Sequence, residues 1–447
     1  MVPNLYDLEH LEFHKFFTIL LPTPDTSLSP LGQTASMKAL LLTALIAASS
    51  FQSPAAEPAQ SLDALAKRAI SPDATTAIEQ LRAAGPAGLE ALFNRYGHRI
   101  QIQLTGLATK DPAWEKIRTA FDTVAQQRDA FASHLYWYTN LNEAEAAAHA
   151  AGKPILSLRL LGNLNEEYSC ANSRFFRTTL YPNAEVSRYL RDHFVLHWQS
   201  VRPIPRITID MGDGRRIERT ITGNSIHYIL DADGHPIDAL PGLYGAKDFI
   251  VGLDHAFTAE QAAAKLTGAE RENFLANYHS ARLDQIIHQW GADLEKVNQT
   301  AINTWARESL DALTSDAVWQ KIAALHSDGS VLDWSASRLI QFKQPPTAMA
   351  AGLLAGSKAV VETPVLRMMR NLQHSIAEDT VHNEYQMHTR ILEWFVAGTA
   401  PKNITALNNK IYADIFLTPS SDPWLGLAPA NAYSALDNAG LIQTRNP

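Results

Sequence analysis

Apolar positions between residues 61 and 133 recur at helical spacing: Leu62, Leu65 and Ala66, then Ile78 and Leu81, then Leu89, Leu92 and Phe93. Gly85-Pro86 and Gly97 punctuate this stretch and predict helix breaks. Asp111-Pro112 opens a further helix through Trp114, Ile117, Phe121 and Val124. From Leu141 the pattern becomes mixed. Leu141 to Ala150 reads as a helix stopped by Gly152, and Pro154 to Leu161 is a nearly unbroken apolar run, as a central parallel strand requires. A polar loop, 162–169, leads to a helix start at Cys170; Tyr181-Pro182-Asn183 ends that helix, and Val186 to Phe194 carries another turn or two. Phe194 to Trp198 and Ile226 to Leu230 read as a second and third strand, the last closed by the turn Asp231-Ala232-Asp233-Gly234. A helix begins near Ala246 with Phe249, Ile250 and Leu253 on its apolar side. The remainder is again helical, and Thr258-Ala259-Glu260-Gln261 fits a capping box with Thr258 as N-cap.

Between the second and third strands, two alternating runs flank Gly212-Asp213-Gly214, which predicts a β-hairpin over 206–222. Arg202, Arg206, Arg215, Arg216 and Arg219 gather there. They mark either a surface for an anionic ligand or partner, or a solvated hairpin face, which is the simpler reading. The chain as a whole is acidic, with a net charge of -8 over 447 residues and no basic run, which argues against a nucleic-acid binder. Hydrophobic content of 46% and charged content of 19% are those of a globular protein long enough for two or three domains. No nucleotide-binding glycine loop and no Gly-x-Ser-x-Gly elbow occurs.

The N-terminus carries an export pattern. Met37-Lys38 precedes an apolar run from Ala39 to Ser49 and then small residues up to Ala56, which together resemble a secretory signal at 37–56. The run is shorter than the roughly 20 residues of a membrane span. Residues 1–36 then form an extension from an upstream start; the alternative is a buried N-terminal helix. Export to the periplasm or the extracellular space is the expectation, with no stable membrane span after cleavage. In such compartments an odd thiol stands out, and Cys170 is the only cysteine in the chain.

The residues around Cys170 carry a resemblance. Ala-x-x-Ala-Gly-Lys-Pro-Ile-Leu from Ala148 to Leu156, the helix-initial Cys-x-x-Ser, a Phe-Val strand and Gly223-Asn-Ser-Ile-His-Tyr-Ile-Leu-Asp-Ala-Asp-Gly234 together resemble the thioredoxin superfamily over about 135–255. The fold expected from it is an α/β thioredoxin-like central domain at 135–255, between a helical region at 57–134 and a helical C-terminal domain at 256–447. Two departures from the family matter. Ser173 stands where the resolving cysteine would be, and Ser225 where the family has a cis-proline. A non-proline cis bond costs about 2.5–4 kcal/mol, so the bond before Ser225 is expected to be trans. Dithiol thioredoxin activity is excluded.

A thiol at a helix N-terminus gains thiolate character from the helix dipole. Arg174, one turn on, and Arg159, on the preceding strand, favour a thiolate at Cys170, while Glu166 and Glu167 oppose it. Asn172 and Ser173 are candidate donors to the sulfur. The resemblance thus implies monothiol thiol–disulfide exchange through Cys170, resolved by an outside thiol. The alternative is a non-catalytic binding or scaffold protein on a degenerate thioredoxin fold, with Cys170 a buried small hydrophobe. A protein or small-thiol partner is expected, and no cofactor; the oligomeric state stays open. His374, Glu378 and His382 fall at i, i+4 and i+8 and form a weak metal-ligand candidate if they lie on one helix, against a plain polar helix face.

Overall fold

The structure is a computed structural model. It describes residues 61–105, 111–220, 222–298, 300–303, 305–343, 358–422 and 425, so the extension at 1–36 and the export pattern at 37–56 lie outside the described residues. The N-terminal helices are α1 (Leu62–Arg68), α2 (Ala74–Ala83), α3 (Pro86–Leu104) and α4 (Trp114–Ala125). Ser61 caps α1 by accepting the Ala64 amide, and α3 opens on Gly85, at φ +66°, with Pro86 in its first turn. Gly97 does not break α3. An interior glycine costs only about 1 kcal/mol against alanine, and the buried stripe Leu89, Leu92, Phe93, Tyr96 and Ile100 runs straight across it.

Helix α5 (Leu141–Ala151) is capped by Asn140, whose side chain accepts the Asn142 amide, and ends on Gly152 at φ +60°. All seven residues of β1 (Ile155–Leu161) are buried. Then follow α6 (Ala171–Phe175), a π-helical turn over Phe176–Leu180, α7 (Ala184–His193) and β2 (Val195–Arg202). The predicted hairpin is present as β3 (Arg206–Asp210) and β4 (Arg216–Thr220), an exposed two-stranded sheet of its own. Strand β5 (Ser225–Leu230) and an unpredicted strand, β6 (Pro236–Pro241), complete the main sheet. Its order is β2-β1-β5-β6, with β1 parallel to β2 and antiparallel to β5, and β5 antiparallel to β6. The sequence of β6, Pro-Ile-Asp-Ala-Leu-Pro, hides it: proline suits only an edge strand, and Asp238 interrupts the apolar run although it is buried.

Helix α8 (Ala246–Ala263) corrects the capping-box reading, because Thr258 lies inside it. Gly252, Leu253, Ala256, Ala259 and Ala263 continue one buried stripe with no breaker between them, so the helix crosses the boundary at 255 uninterrupted. The chain continues as α9 (Gly268–Asn298), α10 (Arg307–Leu313), α11 (Asp316–Leu325), α12 (Trp334–Phe342), α13 (Lys358–His382), a π-helical turn over Asn383–His388, α14 (Thr389–Val396) and α15 (Ile404–Asp414). The protein is thus mixed α/β and mainly helical, around one small mixed sheet.

Three apolar cores hold it together. One joins the sheet to α8 and to Ile404, Leu407 and Ile411 of α15; a second joins α1 to α4; a third centres on Trp290, Trp319, Ile322 and Tyr385. Among the described residues no helix is long and apolar enough to cross a membrane.

Candidate functional site

Cys170 stands at the N-cap of α6, where the sequence puts it. Its Sγ accepts the Ser173 backbone amide at 3.3 Å. The residue has no exposed surface and belongs to the sheet core. Burial pushes the thiol above its ordinary pKa; the Ser173 and Asn172 amides and the Arg174 guanidinium pull the other way without offsetting it. This reverses the expectation of a thiol activated by its helix start. The dipole acts at that position, but removing a thiolate from water outweighs it.

The neighbours of the thiol are committed elsewhere. The Asn172 side chain donates to Ser225 Oγ at 2.8 Å rather than to sulfur, and the Ser173 hydroxyl is buried without a hydrogen-bond partner. The contribution of both residues to the sulfur is therefore through backbone N–H, not side chain. Arg174 donates to the Ser169 carbonyl at 3.1 Å and to Thr220 Oγ1. Arg159 reaches across to Gln199 on β2. Glu166 accepts from Asn163, and Glu167 pairs with Arg128, so neither is aimed at the thiol.

Ser225 is buried, and the peptide bond before it is trans. The backbone at Gly223 lies so close to the start of α6 that a Cβ there would meet Asn172 Oδ1 at 2.9 Å and the Ala171 nitrogen at 3.1 Å. Over this face the C-terminal segment closes. Tyr412 on α15 donates to the Asn224 carbonyl at 3.1 Å, and Asn224 donates to Thr418 Oγ1 at 3.1 Å. Arg202 binds the carbonyls of Thr418, Pro419 and Asp422 at 2.8–3.3 Å. Arg202 is therefore a clasp and not part of the hairpin's positive face. On the hairpin itself, Arg215 pairs with Asp213 and Arg216 with Asp210, both in solvent. That leaves the hairpin charges largely matched.

His374, Glu378 and His382 do share α13, but they do not assemble as ligands. His382 lies tilted against Trp319 with ring centroids 4.2 Å apart, and its Nδ1 bonds Gln386 Oε1. Among the described residues the group that meets metal-ligand distances is Asp231, Asp233 and His235. There Asp231 is already engaged by the Asp233 and His235 amides and by Arg271.

The structure adds a buried ionic chain that no local motif marks. His388 Nε2 lies 2.9 Å from Asp238 Oδ1 on β6, and His388 Nδ1 lies 3.1 Å from Glu384 Oε2. Arg282 on α9 donates to Glu384 Oε1 at 2.5 Å, and Tyr278 donates to Asp238 Oδ2 at 2.5 Å. Burial disfavours the His388 cation, yet Asp238 and Glu384 hold its pKa up at about 9. Glu384, buried as well, is held down at about 2 by Arg282 and His388. Glu384 and His388 sit at i, i+4 in the run that contains His374, but their partners come from 102 and 150 residues away. Only the topology unites them. No protein family, curated protein or solved structure matches this chain.

Proposed function

We propose that the chain is a binding or scaffold protein built on a degenerate thioredoxin-like module, in which Cys170 is a structural helix cap. The observation that carries this reading is the sulfur itself: wholly buried, accepting one backbone amide, and raised in pKa. Thiol exchange requires an attacking thiolate that a disulfide can reach, and neither condition is supported here. The strand order, the parallel β1–β2 pair, the helix opening at Cys170 and the Asn172–Ser225 hydrogen bond support the thioredoxin-like part. In this reading the Cys-x-x-Ser loop joins the sheet to the C-terminal helices, the partner is a protein, and the chain is exported by its 37–56 leader.

The test is the labelling rate of Cys170 by a maleimide at pH 7, native and in denaturant. The expected result is labelling limited by unfolding, with a Cys170→Ala variant that keeps its fold. Labelling of the native thiol within minutes, together with a mixed disulfide lost in Cys170→Ser, would restore monothiol exchange.

A further inference from the structure

A cavity of about 250 Å³ opens between α8, α9, the end of α11 and the α13 π-helical turn. Four charged side chains line it: Asp248, Arg282, His326 and Glu384. Three are matched. Arg282 is paired with Glu384 at 2.5 Å, and His326 Nε2 is bonded to Asp293 Oδ2 at 2.6 Å. Asp293 is in turn held by Tyr385 at 2.7 Å and by Lys296 at 3.1 Å. Asp248 is the exception. Among the described residues its carboxylate makes no side-chain hydrogen bond or ion pair, and its Oδ2 is buried without a partner.

We propose that this cavity binds a small organic ammonium ion, with the Asp248 carboxylate as its counter-ion. An acid in the first turn of α8 is favoured by the helix dipole, which accounts for its residue type but not for its surroundings. The carboxylate lies so close to Gly329 that a Cβ there would fall 2.1 Å from Oδ2, so the chain approaches that oxygen with bare backbone. Asp248 is partly buried and has no ion pair, and withdrawing a carboxylate from water without a counter-charge is unfavourable. A bound cation removes that penalty. Burial indeed pushes the Asp248 carboxyl above its ordinary pKa, with Glu384 adding to the shift and His326 opposing it.

The rest of the lining fits an amine with a hydrocarbon body. Tyr244, Tyr385, Val251 and Ile286 supply aromatic and aliphatic walls, and an aromatic ring attracts a cation. An engineered cavity of about 150 Å³ accepts benzene, so this one accepts roughly ten non-hydrogen atoms. An anion is disfavoured, because Glu384 and Asp293 already neutralise the two cations of the lining. A metal ion is disfavoured too, since Glu384 is bound by Arg282, His388 and Tyr244 and is not free to ligate.

The experiment is isothermal titration of the full chain with phenethylamine and pentylamine, beside the neutral isosteres 2-phenylethanol and 1-pentanol. The expected result is saturable amine binding, at least tenfold weaker for the alcohols and at least tenfold weaker in Asp248→Asn. That variant should unfold at the same temperature as the unliganded wild type or higher, since a neutral amide is easier to bury; a merely structural aspartate gives the opposite shift. Val251→Trp, at a partly exposed position of the mouth, should block binding and leave the fold intact. Cys170→Ala should bind like wild type, which separates this outcome from the fate of the thiol reading. Absence of saturable amine binding, equal binding of the alcohols, or full affinity in Asp248→Asn overturns the proposal.

Discussion

In the main sheet, His197 and His227 are buried beside neutral partners, Ser157 Oγ and Tyr181 Oη at 2.8 Å each, and burial holds both imidazoles at about 3. Across the edge strand β6, His388 is just as buried but sits between two carboxylates and is held at about 9. One fold therefore keeps buried histidine in both charge states, and depth alone does not choose between them. The partner does: a hydroxyl leaves the desolvation penalty standing, whereas a pair of carboxylates repays it. Cys170 belongs with the sheet histidines. Its surroundings supply backbone amides and a single nearby guanidinium, too little to hold a charge that burial opposes.

The sharpest way to break this comparison is to remove His388. His388→Leu leaves Asp238 and Glu384 buried without their shared cation and should cost about 3–5 kcal/mol, read from denaturant unfolding. His227→Phe removes a neutral group and strands one tyrosine hydroxyl, for about 1–2 kcal/mol. Equal losses at the two sites would show that charge state is not what separates them.

pH sharpens it further. His388, raised in the folded state, contributes stability that is full below about 6.5 and is lost as pH rises through about 9. The raised range corresponds to roughly 3 kcal/mol. His197 and His227, depressed, contribute stability that is full above about 6.5 and is lost as pH falls toward 3. Unfolding midpoints measured from pH 4 to 10 should therefore peak near neutrality, and His388→Leu should flatten the alkaline limb while the stranded Asp238 and Glu384, no longer held down by the cation, alter the acid limb as well. An alkaline limb that survives in that variant contradicts the assignment.

Smaller effects test the thiol face. Gly223→Ala forces a Cβ against the start of α6 and should cost about 1–3 kcal/mol, as overpacking does; the same unfolding curves check it. Arg215→Ala, on the solvated hairpin, should change stability by less than about 0.5 kcal/mol. A larger loss there would mean that the hairpin packs on something.

Local signals were legible where the chain uses caps and breakers: Gly85-Pro86, Gly152, the Asp231–Gly234 turn and the helix start at Cys170 all lie where the sequence puts them. Gly97 and Thr258 misled because a breaker or a cap acts only where packing lets a helix end, and buried stripes run past both. Strand β6 was hidden by its prolines and by Asp238, a charge that makes sense in a core only once His388 stands beside it. For the same reason the burial of Cys170 was illegible. Tyr412, close enough to Cys170 for the two to interact electrostatically, lies more than two hundred positions downstream and carries no mark of its destination.

That clasp has a consequence in time. Arg202 grips a segment 216 residues further along the chain, and a loop of that length closes against an entropy of roughly 5 kcal/mol. The contact can form only after everything between has been made. Until then Arg202 at the end of β2 and Asn224 before β5 lack these partners. A growing or C-terminally shortened chain lacks the clasp; only the finished one ties the end of β2 to residues 418–422.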